Sequence, residues 1–252
     1  MGYFNIELRP TFTAANCVAA FANQDLLFDW QLVEVPVKTP FRILGVTAIH
    51  RGTNGAQQRN NIELYFASLN SDGTIPPSLG TVNGSIDGVG YFKHLQSNYI
   101  VQPGQSAFDF INMDSQDNTD GNSQDVIVVS PDRIIGPKGD IQRDGVSVTG
   151  KICIGGAALG TPDFGTGVLL NQAGNQAVTT VPTTLTVDGT VANKALAVGD
   201  TIAADDGAAI GTITSIAANG LTLEVESVAE ALTNNDELVN LNPLTLVIHC
   251  EA

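Results

Sequence analysis

Short segments with alternating or β-rich side chains recur along the chain: YFNIELR, LFDWQLVEV, FRILGVTAIH, NIELYFASL, SAFDFINM, DVIVVS, VSVTGKICI and, near the end, LTLVIHCEA. Alternation with a period of two sends successive side chains to opposite faces, as an extended strand buried on one side requires. Between the segments stand Asp-Gly pairs starting at 72, 87, 120, 144, 188 and 206, and Asn-Gly pairs starting at 54, 83 and 219. Both dipeptides favour the positive φ of tight hairpins. The pattern therefore predicts an all-β protein. Ala14 to Asn23 reads as one short helix and Val228 to Leu232 as a weaker one. Neither is long enough for the crossover layer of a parallel α/β sheet.

Composition adds a boundary. Over 252 residues the chain is 43% hydrophobic and 15% charged, enough to bury a core. No apolar run approaches the ~20 residues of a membrane span. The formal charge of −15 repels nucleic acid and anionic lipid, so neither direct nucleic-acid binding nor a membrane partner is expected. Up to Lys151 ten Lys or Arg stand against fifteen Asp or Glu; from Ile152 onward only Lys194 stands against eleven. Residues 156–183 are rich in Gly, Thr and small polar residues and read as a linker. Beyond them, turn signals near 188, 199, 206 and 219 have the spacing of a compact β domain over 184–242. The last ten residues return to strong alternation, resembling VSVTGKICI more than the acidic stretch before them. The expected architecture is a large antiparallel β-sandwich, jelly-roll-like, formed by 1–155 plus 243–252. A small β-barrel-like domain is inserted before the final strand.

Candidate chemistry is sparse. DSQDNTDGNSQD (114–125) invites a calcium reading, yet placing Gly121 at the sixth position of an EF-type loop puts Gln116 first and Ile127 twelfth, where oxygen ligands belong. Calcium held in another geometry by Asp114, Asp117, Asp120 and Asp125 is the alternative to a solvated hairpin whose Asp and Asn side chains bond their own backbone. There is no Gly-x-Ser-x-Gly, His-Glu-x-x-His or Gly-x-x-x-x-Gly-Lys pattern. No catalytic residue and no cofactor is expected. His249 and Cys250 are adjacent on a predicted strand and so face opposite ways. Cys17, Cys153 and Cys250 are too few and too scattered for a disulfide framework and read as buried thiols. The first residues lack the basic start of a cleaved leader, so assembly in a reducing cytosol is expected. Aromatic residues, concentrated before residue 111, are expected in the core.

One stretch carries a family resemblance. LAVGDTIAADDGAAIGTITSIAANGLTLEV, within an acidic, cysteine-poor all-β chain, resembles structural proteins of tailed-bacteriophage virions, particularly those of marine cyanophages. The resemblance is specific to about 185–240 and one of style elsewhere. It implies a non-enzymatic virion protein, made in the host cytoplasm: a capsid decoration or cement protein that binds the major capsid protein or other virion proteins. Such a protein is expected to be a homo-oligomer, with a trimer favoured. Because the main domain holds most of the cations, Arg42, Arg51, Arg59 and Lys93 are candidates for contact with the shell or a neighbouring subunit. The alternatives are a tail, fibre or receptor-binding component, and a calcium-assisted carbohydrate-binding protein or glycan-active enzyme.

Overall fold

The computed structural model describes residues 2–36, 41–50, 61–67, 69, 74–86, 95–101, 110–114, 127–129, 132–133, 150–171, 176–188 and 192–252. In chain order the elements are β1 (Tyr3–Leu8), α1 (Ala14–Val18), β2 (Leu26–Val35), β3 (Phe41–His50), β4 (Asn61–Ala67), β5 (Leu95–Val101), β6 (Phe110–Asp114), β7 (Ile127–Val129), β8 (Asp132–Arg133) and β9 (Gly150–Leu159). They continue with β10 (Thr183–Thr186), α2 (Ala192–Ala195), β11 (Thr201–Ala204), β12 (Ala209–Ile216), β13 (Thr222–Val225), β14 (Leu238–Asn240) and β15 (Leu244–Glu251). The protein is thus nearly all β, and its strand pairs are antiparallel.

The strands form three sheets. The first runs β1-β15-β3-β6, with β7 also paired to β3; the second runs β2-β9-β4-β5, with β8 on β9; the third runs β10-β13-β12-β11-β14. The final strand shows why alternation matters. Leu244, Leu246, Ile248 and Cys250 are buried, while Thr245, Val247, His249 and Glu251 are half-buried on the other face. That strand lies between β1 and β3, with Ile248 opposite both Ile6 and Val46. The chain therefore leaves after β9, builds the third sheet, and comes back to the middle of the first.

The first two sheets share one apolar core. It takes Ile6, Ile43, Val46 and Ile248 from one sheet and Phe28, Leu64, Phe66, Ile152 and Ile154 from the other. On the far side of β9 a smaller cluster, including Trp30, Tyr65, Leu79 and Cys153, is covered by residues 74–86. This is why β9 is buried almost end to end rather than in alternation. Gly156 makes room on the opposite side of β9, in the shared core: a Cβ at that position would lie 2.6 Å from Phe28 Cζ. The third sheet encloses its own cluster of Leu, Val, Ile and Ala, although Ala203 and Val239 reach into the shared core.

Three sequence expectations are revised. The helix predicted over 14–23 ends at Val18, capped by Thr13, whose hydroxyl accepts the Asn16 N–H. Val228 to Leu232 is not helical: Val228 bridges Thr179 and Leu232 bridges Gln176 on either side of a bend, so backbone pairing replaces helical hydrogen bonding. The segment read as a linker is structural. Its residues 156–159 continue β9; Phe164 packs on Phe12 and Phe21 at 4.9 and 5.6 Å between ring centroids, and Val168 and Leu170 are fully buried in the third sheet's core.

Candidate functional site

The acidic side chains answer first to the backbone. Asp25 accepts the Ala22 N–H, Asp163 that of Gly165, Asp200 that of Ala197, Asp206 that of Ala208 and Asp236 that of Thr233, all at 2.6–2.9 Å. Asp29 Oδ1 accepts from both Trp30 and Leu79, tying β2 to the segment that covers it. Glu237 Oε1 accepts from Thr166 at 2.7 Å and Gly167 at 2.8 Å, pinning the former linker to the start of β14. Apart from Trp30, which lies inside β2 where its pairing with β9 slips, the donors lie outside the strands, so these bonds satisfy N–H groups that no sheet ladder reaches.

The predicted contact and calcium residues are only partly within view. Arg42 is exposed on β3, opposite Glu251 in register. Asp114 ends β6, opposite Gly45. Arg51, Arg59, Lys93, Asp117, Asp120 and Asp125 lie outside the described residues. Among the described residues, no group of three His, Cys, Asp or Glu side chains could hold a metal ion.

The structure does assemble a polar surface on the outer face of the first sheet. At its centre His249 bridges the neighbouring strands: Nδ1 is 3.0 Å from Asn5 Oδ1, and Nε2 is 3.0 Å from Thr47 Oγ1. The amide oxygen can only accept, so Nδ1 carries hydrogen, and in the neutral ring the Thr47 hydroxyl donates to Nε2. Cys250 points the opposite way into the core, as expected from the strand period. At one end of the face lie Tyr3, Glu251 and Arg42, and at the other Glu7 and Arg9, whose Nε donates to Glu7 Oε1 at 2.6 Å.

Beyond Arg9 the face runs into a cleft of about 240 Å³ lined by Arg9, Ile49, Asp200, Thr201, Asn242 and Thr245. Its far wall is the turn before β11. Gly199, at φ 92°, takes a conformation that a side chain would strain, and its N–H bonds Ile213 O. Its floor is fixed by Asn242, whose Nδ2 donates to Pro10 O and Thr11 Oγ1. The cleft thus brings together a guanidinium, a carboxylate, hydroxyls and an apolar wall. Sequence reasoning missed Tyr3, Arg9, Asp200 and Asn242, because nothing local signals that positions so far apart in the chain meet.

The thiols lie behind this surface. Burial, reinforced by the charge of Glu237, pushes Cys17 up to about 12, and its Sγ donates to Asn240 O. Burial alone pushes Cys250 up to about 12. Both are protonated and unreactive at neutral pH. No protein-family model, curated protein or solved structure matches the chain.

Proposed function

We propose that this chain is a non-enzymatic structural subunit of a tailed-bacteriophage virion, and within that class a decoration or cement protein attached to the head shell. In this reading the two sheets with a common core form a jelly-roll-like sandwich that makes the attachment. Arg42 serves the contact with the major capsid protein or a neighbouring subunit. The third sheet is a small barrel-like domain inserted before the last strand. With a single cation, Lys194, it faces outward, where like charge keeps particles apart.

The observation that carries the reading is the use made of acidic side chains. Asp25, Asp163, Asp200, Asp206 and Asp236 close local turns by accepting backbone N–H groups, while Asp29 and Glu237 tie together segments distant in the chain through theirs. A subunit that works through its shape needs rigid turns between short strands, and this arrangement supplies them. The resemblance of about 185–240 to virion proteins supports the same reading.

Co-sedimentation of the purified chain with tailed-phage heads stripped of accessory proteins tests it. Saturable binding at a fixed ratio to the major capsid protein is expected. Hydrolysis of a polysaccharide, or glycan-array binding without attachment to heads, overturns it.

A further inference from the structure

A strand at the end of a sheet keeps half of its backbone groups out of the ladder, and β1 is such a strand. Gly2 and Ala252 exchange both of their backbone hydrogen bonds, and in an antiparallel ladder such pairs alternate with pairs that exchange none. Phe4, Ile6 and Leu8 therefore turn their N–H and C=O groups toward β15, and Tyr3, Asn5 and Glu7 turn theirs away from it. Among the described residues nothing bonds those six groups, and all three residues are exposed. The ends of the third sheet are closed instead: Val168 O accepts the Leu238 N–H beside β14, and Thr186 O accepts the Asn171 N–H beside β10. The open edge is also nearly neutral in a chain of net charge −15. Its one charged residue, Glu7, is paired with Arg9 at 2.6 Å.

We propose that β1 pairs edge to edge with β1 of a second copy, antiparallel, about a two-fold axis that runs perpendicular to the sheet beside Asn5. Such an axis reverses the strand direction and brings the two free edges together, while the outer face stays outer and the core face stays core. Asn5 then meets Asn5, and Tyr3 meets Glu7 twice, so the open N–H and C=O groups of both copies close six hydrogen bonds. Neighbouring registers serve less well. An axis at Glu7 sets two carboxylates opposite one another, one at Ile6 leaves them diagonal neighbours, and one at Phe4 carries Glu7 past the start of the other strand. On the outer face the Tyr3 ring lies along the stem of the second copy's Glu7. The two Asn5 amides meet at the axis: Oδ1 of each is held by His249 Nδ1 at 3.0 Å, and Nδ2 has no bond among the described residues. A second copy is the occupant because the register complements itself on a strip that adds almost no charge repulsion.

The length of the seam sets its strength. Six residues at about 3.4 Å give a contact roughly 20 Å long and one strand wide. That buries well under the ~800 Å² per partner of a standard interface, so the pair is weak and reversible. The proposal goes beyond the virion reading and does not depend on it, because self-association is measured without heads.

Sedimentation equilibrium of the purified full chain, from roughly 5 µM to 1 mM, is the test. A monomer–dimer equilibrium is expected. Asn5→Asp and Asn5→Lys each set like charges across the axis and should weaken the pair about tenfold. Mixed one to one, the two variants should associate to within about threefold of the unaltered chain, because residue 5 of one copy meets residue 5 of the other. Amide exchange of the unaltered chain gives a readout that needs no variant. The N–H groups of Tyr3, Asn5 and Glu7 should slow as concentration rises, while those of Phe4, Ile6 and Leu8 are slow throughout. A monomer at every concentration, a dimer in which Tyr3, Asn5 and Glu7 exchange as fast as in the monomer, or a mixture no tighter than either variant alone overturns the proposal. Protection of this edge that appears only on added heads, with the chain alone monomeric, would give it to a strand of the shell and overturn the proposal as well. Dimerisation with no binding to heads would count against the virion reading alone.

Discussion

The two-sheet core and the third sheet solve the same problem with different materials. Between the first two sheets the buried side chains are large: Phe28, Phe41 and Phe66, with Phe12, Phe21 and Phe164 stacked at one end. The third sheet encloses only Leu, Val, Ile and Ala, and the chain contains no aromatic residue after Phe164. Apart from the eight-residue β12 its strands are short, four residues in β10, β11 and β13 and three in β14. Short strands bury little, so the third sheet depends more on locked turns. Asp200, Asp206, Asp236 and Glu237 provide them. The acidity that looks like a functional signal in the sequence is, in this part of the molecule, largely the chemistry of turn closure.

The sharpest way to break the comparison is to remove 244–252. If the first sheet needs its returning strand, this deletion takes away four buried side chains and the ladders to both β1 and β3. Burial of each is worth roughly 1.5–3 kcal/mol, a total that rivals the whole stability of a domain. The first two sheets should then fail to fold, as read by loss of near-ultraviolet circular dichroism. A shortened chain with native-like signal and an unchanged urea midpoint would show that the last strand is dispensable.

Next in size is Phe66→Ala. Phe66 is fully buried between the sheets, and truncating such a ring costs about 3–5 kcal/mol. The urea midpoint should fall accordingly, while amide protection in β12 and β13 falls less than in β4 and β9. Equal loss in all four strands would mean that the two cores unfold as one unit. Glu237→Ala tests the other side. It leaves the N–H groups of Thr166 and Gly167 without their carboxylate, at a cost of roughly 2–3 kcal/mol. The change should appear first as faster exchange at 166–170, with Glu237→Gln retaining much of the protection through its amide oxygen.

How far the molecule could be read in advance varies with the local code. In β15 every side chain obeyed the two-residue period, so strand, buried face and the opposed directions of His249 and Cys250 were all legible. The stretch from Phe164 to Leu170 was not: its apolar residues are separated by Gly and Thr, follow no regular period, and are buried by irregular backbone rather than by a strand. Val228 and Leu232 have helical spacing, yet isolated bridges to Thr179 and Gln176 hold them on either side of a bend. The polar face was legible only in fragments. Arg42 could be singled out as an exposed cation, but its relation to Glu251, Tyr3 and the Arg9 cleft follows from the strand order β1-β15-β3. Strand order is fixed by packing between distant segments, and the periodicity within a single segment carries none of it.

Smallest per residue is the share that each of two buried thiols takes in a pH dependence. Cys17 and Cys250 are both raised from 9.0 to about 12, so the folded protein holds their protons at pH values where the unfolded chain has released them. Below about pH 9 both states are protonated, and burying the neutral thiols carries no pH penalty. Between pH 9 and 12 the unfolded state binds fewer protons, and stability falls as pH rises. At pH 10.5 the loss is about 2 kcal/mol per thiol, at ~1.4 kcal/mol per pH unit. Urea titrations at pH 8 and 10.5 should show it, and Cys250→Ala should remove one thiol's share of the difference. Cys17 lies where α1 meets β14 and feels the charge of Glu237 as well as burial. Glu237→Gln should therefore reduce the alkaline loss by a further, smaller amount through Cys17 and leave the contribution of Cys250 untouched. If Cys250→Ala and Glu237→Gln reduced the alkaline loss equally, or neither reduced it, the thiols would not be the source of the pH dependence.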